Sequence, residues 1–342
     1  MKNSILILYT GGTIGMKTNP ETGILSPFNF DQIDQEVPEL KKFNLRINAA
    51  TFDPPIDSAN VTPELWVRIA QVIRENYDKY DGFVVLHGTD TMSYTASALS
   101  FMTLNLTKPV IFTGSQIPIG VLRTDGRENL ITAVEIAAAK ENGRAVVPEV
   151  CIYFQNNLFR ANRTRKFNAD YFNAFRSDNY PPLAEVGVDI HYNYAAIRHT
   201  DSFLPPFDIA TALERSVAVI RIFPGMTPET FRSMLSIPHL RGVVLETYGS
   251  GNAPTDEWFI DCLDEAIRRG VVVINVTQCH AGRVAMERYE TGIRLQQVGV
   301  VGGGEITTES AVTKLMCLLG QKLPPNQLKE CLNGPIRGET TP

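Results

Sequence analysis

Three short loops concentrate the groups that could carry out nucleophilic or acid–base chemistry: Thr10-Gly11-Gly12-Thr13-Ile14-Gly15, His87-Gly88-Thr89-Asp90-Thr91 and Thr113-Gly114-Ser115-Gln116. A hydroxyl is a weak nucleophile at neutral pH and needs a partner to take its proton. The second loop offers two hydroxyls and a carboxylate beside a histidine. Each loop alone also has a plainer reading, a glycine turn or a Thr-Asp pair that caps a helix. The first invites a phosphate-cradle reading as well. It matches neither the P-loop nor the dinucleotide-binding glycine spacing, and no acidic residue ends a second strand about 20 residues later. Nucleotide binding is therefore disfavoured.

Elements that could position these loops follow from hydrophobic patterning. Apolar or β-branched runs recur at Ile5–Tyr9, Phe83–Leu86, Val110–Phe112, Val146–Phe154, Val217–Ile222, Val243–Leu245 and Val271–Val276. Helix-period stretches lie between many of them, at Pro63–Tyr77, Thr91–Leu104, Asn129–Ala139, Thr227–Leu235 and Asp256–Arg269. The alternation predicts an α/β fold with parallel strands. Thr62 and Thr255-Asp256 read as helix starts, and Gly82 and Gly270 as stops. In open parallel sheets, ligands bind outside the carboxyl ends of the strands, so the three loops are expected to converge on one hydroxyl-rich pocket.

A chain of 342 residues suggests two domains. The Pro181–Pro206 segment lacks periodicity and reads as the connection, giving an N-terminal catalytic α/β domain at 1–190, a linker at 191–212 and a smaller C-terminal α/β domain at 213–342. Residues after a last helix near Gln327–Leu332 read as an irregular tail. Hydrophobic residues make up 44% and charged residues 20%, the balance of a soluble globular enzyme. A net charge of −5 argues against nucleic acid, and the Arg160–Lys166 basic cluster is short and interrupted. No apolar run approaches the roughly 18 residues of a membrane span. Residues 1–9 read as a first strand and not a signal peptide, so a cytoplasmic protein is expected. Cys151, Cys262, Cys279, Cys317 and Cys331 contain no paired spacing, so neither disulfides nor a metal site is expected, and no cofactor.

The combination TGGTIG, then HGTDT about 75 residues on, then TGSQ about 25 beyond, resembles the bacterial L-asparaginases. ASALSFM (96–102), FRANRTRKF (159–167), GNAP (251–254) and GVVGG (299–303) extend the resemblance, to the cytoplasmic branch, over nearly the whole chain. The resemblance implies hydrolysis of the side-chain amide of L-asparagine to L-aspartate and ammonia. It maps the attacking threonine onto Thr13, and a second threonine, an aspartate and a lysine acting with it onto Thr89, Asp90 and Lys166. The ligand carries an ammonium and a carboxylate on one carbon. The family pattern gives the first to Asp90 and the second to Ser58, Ala59 and the Gly88 backbone. It places Ser115 near the side-chain amide, with Asn252 presented from a partner chain of a homodimer or homotetramer.

Four departures from the family pattern stand out. Ala59 and Asn60 replace a more usual polar residue and Asp, which bears on affinity and on the asparagine-to-glutamine ratio. The loop Thr22–Ser26 lacks the tyrosine that many relatives place against the nucleophile, and Tyr289 is the candidate to supply that phenol from a C-terminal segment. Some cytoplasmic members bind a second asparagine through the cysteine of a TQC segment, here Thr277-Gln278-Cys279. An arginine of that site is replaced by Glu246, which predicts hyperbolic kinetics. Two alternatives are weaker: a non-catalytic asparagine sensor, opposed by both threonines and the lysine, and an ammonia-releasing amidotransferase subunit, opposed by a first strand that begins at Ile5.

Overall fold

The structure is a computed structural model that describes residues 2–18, 25–27, 37–199 and 204–341. The chain divides into two compact units, Met1–Ile209 and Ala210–Pro342.

The N-terminal unit is built on an eight-stranded sheet. Its strands are β1 (Ser4–Tyr9), β2 (Arg46–Thr51), β3 (Gly82–Leu86), β4 (Val110–Thr113), β5 (Val150–Phe154), β6 (Asn157–Arg160), β7 (Ala184–Val186) and β8 (Ile190–Tyr192), in the spatial order β8-β7-β6-β5-β4-β3-β1-β2. Strands β2, β1, β3, β4 and β5 run parallel, and β6, β7 and β8 extend the sheet antiparallel. Strands β1, β3, β4 and β5 are buried along their whole length, which is why they read as unbroken apolar runs. Helices α1 (Pro63–Asn76), α2 (Met92–Met102) and α3 (Gly126–Ala138) lie between them in sequence. Helix α1 buries Leu65, Trp66, Ile69, Ala70 and Ile73 on one face, whereas α2 is buried nearly all round and is rich in Ala and Ser.

The 2-1-3-4-5 order of the parallel strands has a switch point between β1 and β3, where sequence-adjacent connections leave in opposite directions. Register pairs Ile5 with Gly82 and Tyr9 with Leu86, so the two strands end level. The loops that follow, Thr10–Thr13 and His87–Thr91, thus leave the sheet side by side.

The C-terminal unit holds a parallel sheet in the order β9 (Val217–Arg221), β10 (Gly242–Thr247), β11 (Val272–Thr277) and β12 (Val301–Gly302). Helices α4 (Pro228–Leu235), α5 (Glu257–Arg268), α6 (Glu290–Gln297), α7 (Thr308–Gly320) and α8 (Pro325–Asn333) complete it. Alternation along β10 splits the core: Val243 and Leu245 pack with Phe231 and Phe259, while Val244 packs with Ile274 and Leu315.

Several expectations need correction. Gly82 opens β3 and does not stop α1, which ends at Asn76, whereas Gly270 (φ 91°) does follow α5. The Pro181–Pro206 stretch, expected to be the connection, contributes β7 and β8 to the sheet, while the two units divide after Ile209, inside the stretch 191–212 expected as the linker. The C-terminal tail has no regular structure but is pinned. Glu339 and Lys314 form a 2.6 Å ion pair with side-chain exposures of 0% and 2%. Glu339 also accepts from the backbone N–H groups of Ile336 and Arg337, and Lys314 donates to the Gly334 carbonyl. Among the described residues no helix is long and apolar enough to cross a membrane.

Candidate active site

The site forms where the loops after β1 and β3 meet, and two close approaches hold them together. Gly12 adopts φ 87°, and a Cβ there would lie 2.4 Å from the Gly88 nitrogen. A Cβ on Gly88 would lie 2.5 Å from Ser58 Oγ, so the first two loops touch backbone to backbone while the Ser58 side chain packs directly on Gly88. Thr10 reinforces the junction: its N–H and its hydroxyl both donate to the Leu86 carbonyl, and its own carbonyl accepts from Ile56 N–H. Thr13 opens a 3-10 turn, Thr13–Gly15, and is half-buried.

Ser58 begins a second 3-10 turn, Ser58–Asn60, whose preceding Asp57 accepts from Ala59 N–H at 3.0 Å. Ser58 is buried, Ala59 is exposed, and the Thr91 hydroxyl donates to the Ser58 carbonyl at 2.7 Å. Ser115 follows β4; its hydroxyl is buried without a hydrogen-bond partner, the condition of a group left for a ligand or a water. Asp125, at the N-terminus of α3, accepts from the N–H groups of Gln116 and Ile117 and from Asn129 Nδ2, which clamps the Ser115-Gln116 segment.

The decisive contacts centre on Lys166. It lies in a two-residue strand, Arg165–Lys166, paired with Phe175–Arg176, and Phe175 packs on Phe154 of β5 with ring centroids 5.0 Å apart. From this anchor Lys166 Nζ donates to Thr89 Oγ1 at 2.8 Å and to Asp90 Oδ1 at 2.7 Å. The lysine side chain is 18% exposed and the aspartate 63%, so the carboxylate remains open to solvent or ligand. Lys166 thus touches a hydroxyl and a carboxylate at the sheet's switch point, an arrangement that can hold and move a proton.

His87 sits beneath this group and is fully buried. Its Nδ1 lies 2.7 Å from the Gly88 carbonyl, which can only accept, so Nδ1 carries the proton. Nε2 therefore accepts from the Thr95 hydroxyl at 3.0 Å, and Thr95 Oγ1 accepts from Trp66 Nε1 at 3.0 Å. Burial pushes the imidazole pKa down to about 4, so the ring is neutral near pH 7 and a support for the Gly88 peptide.

Asn252 and Tyr289 belong to the C-terminal unit. Asn252 closes a tight turn with Tyr248 through reciprocal backbone bonds. Tyr289 follows the Met286–Arg288 turn, stands at the N-terminus of α6 and is 49% exposed. Cys279 is exposed, and Glu246 is held by the Thr308 hydroxyl at 2.6 Å and faces Arg221 at 3.5 Å. The Thr22–Ser26 loop, judged to lack a tyrosine, lies mostly outside the described residues. Sequence reasoning missed Asp125 and Asn129 and gave Gln116 no role. The only signal for Asp125 was an acidic residue just before a helical run.

Residues 4–198 match the sequence model of the family described as Asparaginase, N-terminal, and residues 216–332 match the Glutaminase/Asparaginase C-terminal domain. The chain belongs to the asparaginase family. It is 43% identical to L-asparaginase 1 of Escherichia coli strain K12, over 100% of this chain and 99% of that protein. It is 41% identical to the human 60 kDa lysophospholipase, over 99% of this chain and 61% of that protein. The crystal structure of L-asparaginase I from Vibrio cholerae O1 superposes with a TM-score of 0.90 at 41% identity, covering both chains fully.

Proposed function

We propose that this member of the family is an L-asparagine amidohydrolase that releases L-aspartate and ammonia through a threonine nucleophile. The observation that carries the reading is Lys166 Nζ in contact with both Thr89 Oγ1 and Asp90 Oδ1 beside the loop that bears Thr13. Thr13 Oγ attacks the side-chain carbonyl carbon, and its proton passes to Thr89 as Lys166, in its neutral form, takes the Thr89 proton. The tetrahedral intermediate expels ammonia, which leaves with a proton returned by the same group. A water then attacks the Thr13 ester, giving up a proton along the same path, and aspartate departs with Thr13 restored.

Asp90 receives the substrate ammonium, which its exposed carboxylate favours. Ser58, Ala59 and the Gly88 backbone receive the α-carboxylate, and Ser115 faces the carboxamide. Asn252 completes the pocket from a partner chain of a homodimer or homotetramer, and Tyr289 is the candidate phenol. The protein acts in the cytoplasm on a free amino acid, without a cofactor and without a nucleic-acid or membrane partner.

The test is ammonia release from L-asparagine and L-glutamine by wild type and Thr13→Ala, with lysophosphatidylcholine as a control substrate. Thr13→Ala should lose many powers of ten in turnover while still binding asparagine. Residual activity within about tenfold of wild type excludes Thr13 as nucleophile. A folded wild type inert on both amides removes the whole reading.

A further inference from the structure

His87 opens the second loop and is held by main chain and ring alike. Its N–H donates to the Thr113 carbonyl at 3.0 Å, and its ring lies against Phe112 with centroids 6.2 Å apart. The two ring nitrogens have different neighbours. Nε2 accepts from the Thr95 hydroxyl at 3.0 Å, and the protonated Nδ1 donates to the Gly88 carbonyl at 2.7 Å. The second contact bears on the peptide that joins Gly88 to Thr89.

A trans peptide is planar, with its N–H opposed to its C=O. Because the Gly88 carbonyl turns toward the buried ring, the Thr89 N–H turns the other way. Among the described residues nothing accepts that N–H, although Thr89 is buried. The Thr89 hydroxyl is engaged separately. It meets Lys166 Nζ at 2.8 Å and Gln116 Oε1 at 3.3 Å, and Gln116 Nε2 donates to the Ala169 and Tyr171 carbonyls of the Asn168–Tyr171 turn. A buried backbone N–H without a partner is rare, and a ligand atom that accepts from it accounts for one. Glycine makes the orientation matter. With no Cβ at position 88, rotation of the following peptide meets little intrinsic resistance, and a flip would put a carbonyl where the donor stands. The Nδ1–H bond favours the orientation with the donor outward.

We infer that His87 is a positioning residue: it holds the Gly88–Thr89 peptide so that the Thr89 N–H donates to the substrate carboxamide oxygen as that oxygen becomes an anion. The inference rests on the amidohydrolase reading, in which attack by Thr13 Oγ forms a C–O bond and moves the carbonyl π pair onto oxygen. A donor aimed at that oxygen gains strength as the charge develops, so it acts on kcat. An α-carboxylate only accepts, so from the Gly88 backbone it can take only the N–H, which belongs to the preceding peptide. Binding is therefore largely spared.

Two amides divide the contacts of the ring between them. His87→Asn places an amide nitrogen where Nδ1 stands and is too short to reach Thr95. His87→Gln places its amide at the Nε2 position, which keeps Thr95 and withdraws the donor from Gly88. His87→Gln should lower kcat for L-asparagine by about tenfold or more, short of the roughly 10²–10³ that removal of a whole oxyanion donor costs, with KM within about threefold of wild type. His87→Asn should keep kcat within about threefold. A packing role alone predicts the reverse order, because asparagine leaves the larger cavity. A His87→Gln enzyme with wild-type kcat, or a His87→Asn enzyme no faster than His87→Gln, overturns the inference and spares the proposed activity.

The second readout needs no substrate. The chain has five histidines, and the imidazole 15N signals that vanish in the position-87 variants belong to His87. Near neutral pH they should show a protonated Nδ1 and an unprotonated Nε2, in a single tautomer. A proton on Nε2 instead, or a mixture of tautomers, overturns the inference whatever the rates. A wild type without amidase activity overturns the proposed activity, and the tautomer then decides whether His87 holds the peptide.

Discussion

Replacing His87 with glutamine should flatten the dependence of stability on pH between neutrality and mild acid. The imidazole is buried, and its pKa falls from 6.5 to about 4 because burial disfavours the charged ring. Below the unfolded value the unfolded chain takes up a proton that the folded chain refuses. Stability conferred by the neutral ring is thus fully present above about pH 6.5 and is lost as pH falls toward about 4. At 1.36 kcal/mol per unit the full loss is about 3 kcal/mol, and about 2 kcal/mol of it falls between about pH 7.5 and about pH 5. Below about pH 4 both states are protonated and the slope vanishes. The structure says where the cost arises: a second ring proton would point at Thr95 Oγ1, whose own proton must then leave Nε2 while Trp66 Nε1 still donates to it. The assay is urea unfolding of wild type and His87→Gln at both pH values, read as the difference of differences so that other titrating groups cancel. Parallel wild-type and variant curves, with a residual below about 0.5 kcal/mol, would refute the reasoning.

Thr89→Val and Lys166→Met should each impair turnover severely, and the double variant should be about as slow as the worse single one, because both belong to one proton-handling unit; steady-state ammonia release showing a double loss equal to the product of the singles argues against the unit. Glu339→Ala leaves the Lys314 ammonium buried without its partner and should cost about 3–5 kcal/mol, whereas Lys314→Met with Glu339→Leu should recover most of it. Equilibrium unfolding checks this, and a cost under about 1 kcal/mol for Glu339→Ala would show that the tail yields to water. Tyr289→Phe should reduce kcat by roughly 10²-fold without unfolding the protein. A folded variant within about threefold, worth only about 0.65 kcal/mol, eliminates Tyr289 as the phenol.

Strands β1, β3, β4 and β5 were legible because burial on both faces demands continuous apolar sequence. The same reasoning could not see β2. At the sheet edge Arg46-Ile47-Asn48-Ala49-Ala50-Thr51 is exposed at every second or third position, and its composition resembles a loop. Strands β6 to β8 escaped for another reason: they are short, antiparallel and partly polar, and β7 and β8 lie in the proline-flanked stretch that reads as a connection. The tail escaped because Lys314 and Glu339 are 25 residues apart with no spacing to pair them, and only tertiary structure brings a helix-borne lysine under the last turn.

The site divides along the same line. Thr13, Thr89, Asp90 and Ser115 were legible because a parallel sheet ends its strands in loops on one side, and the residues sit in those loops. Lys166 was not. It comes from Arg165–Lys166, a two-residue strand within a basic run that reads equally well as a solvated surface, and only the family resemblance drew attention to it. Its anchor is apolar, the Phe175 ring on Phe154, and nothing near position 166 in the sequence reports that contact. Gln116 and Asp125 lie beyond sequence reasoning for a related reason. Each acts on a segment distant in the chain or folded back on it, through hydrogen bonds whose partners are mostly backbone atoms. Backbone acceptors carry no residue identity, so a sequence can show the glutamine but not the carbonyls that orient it. The Thr89 hydroxyl thus has contacts of two kinds. The Lys166 contact can be inferred from family pattern, and the Gln116 contact exists only once the Asn168–Tyr171 turn is folded against it.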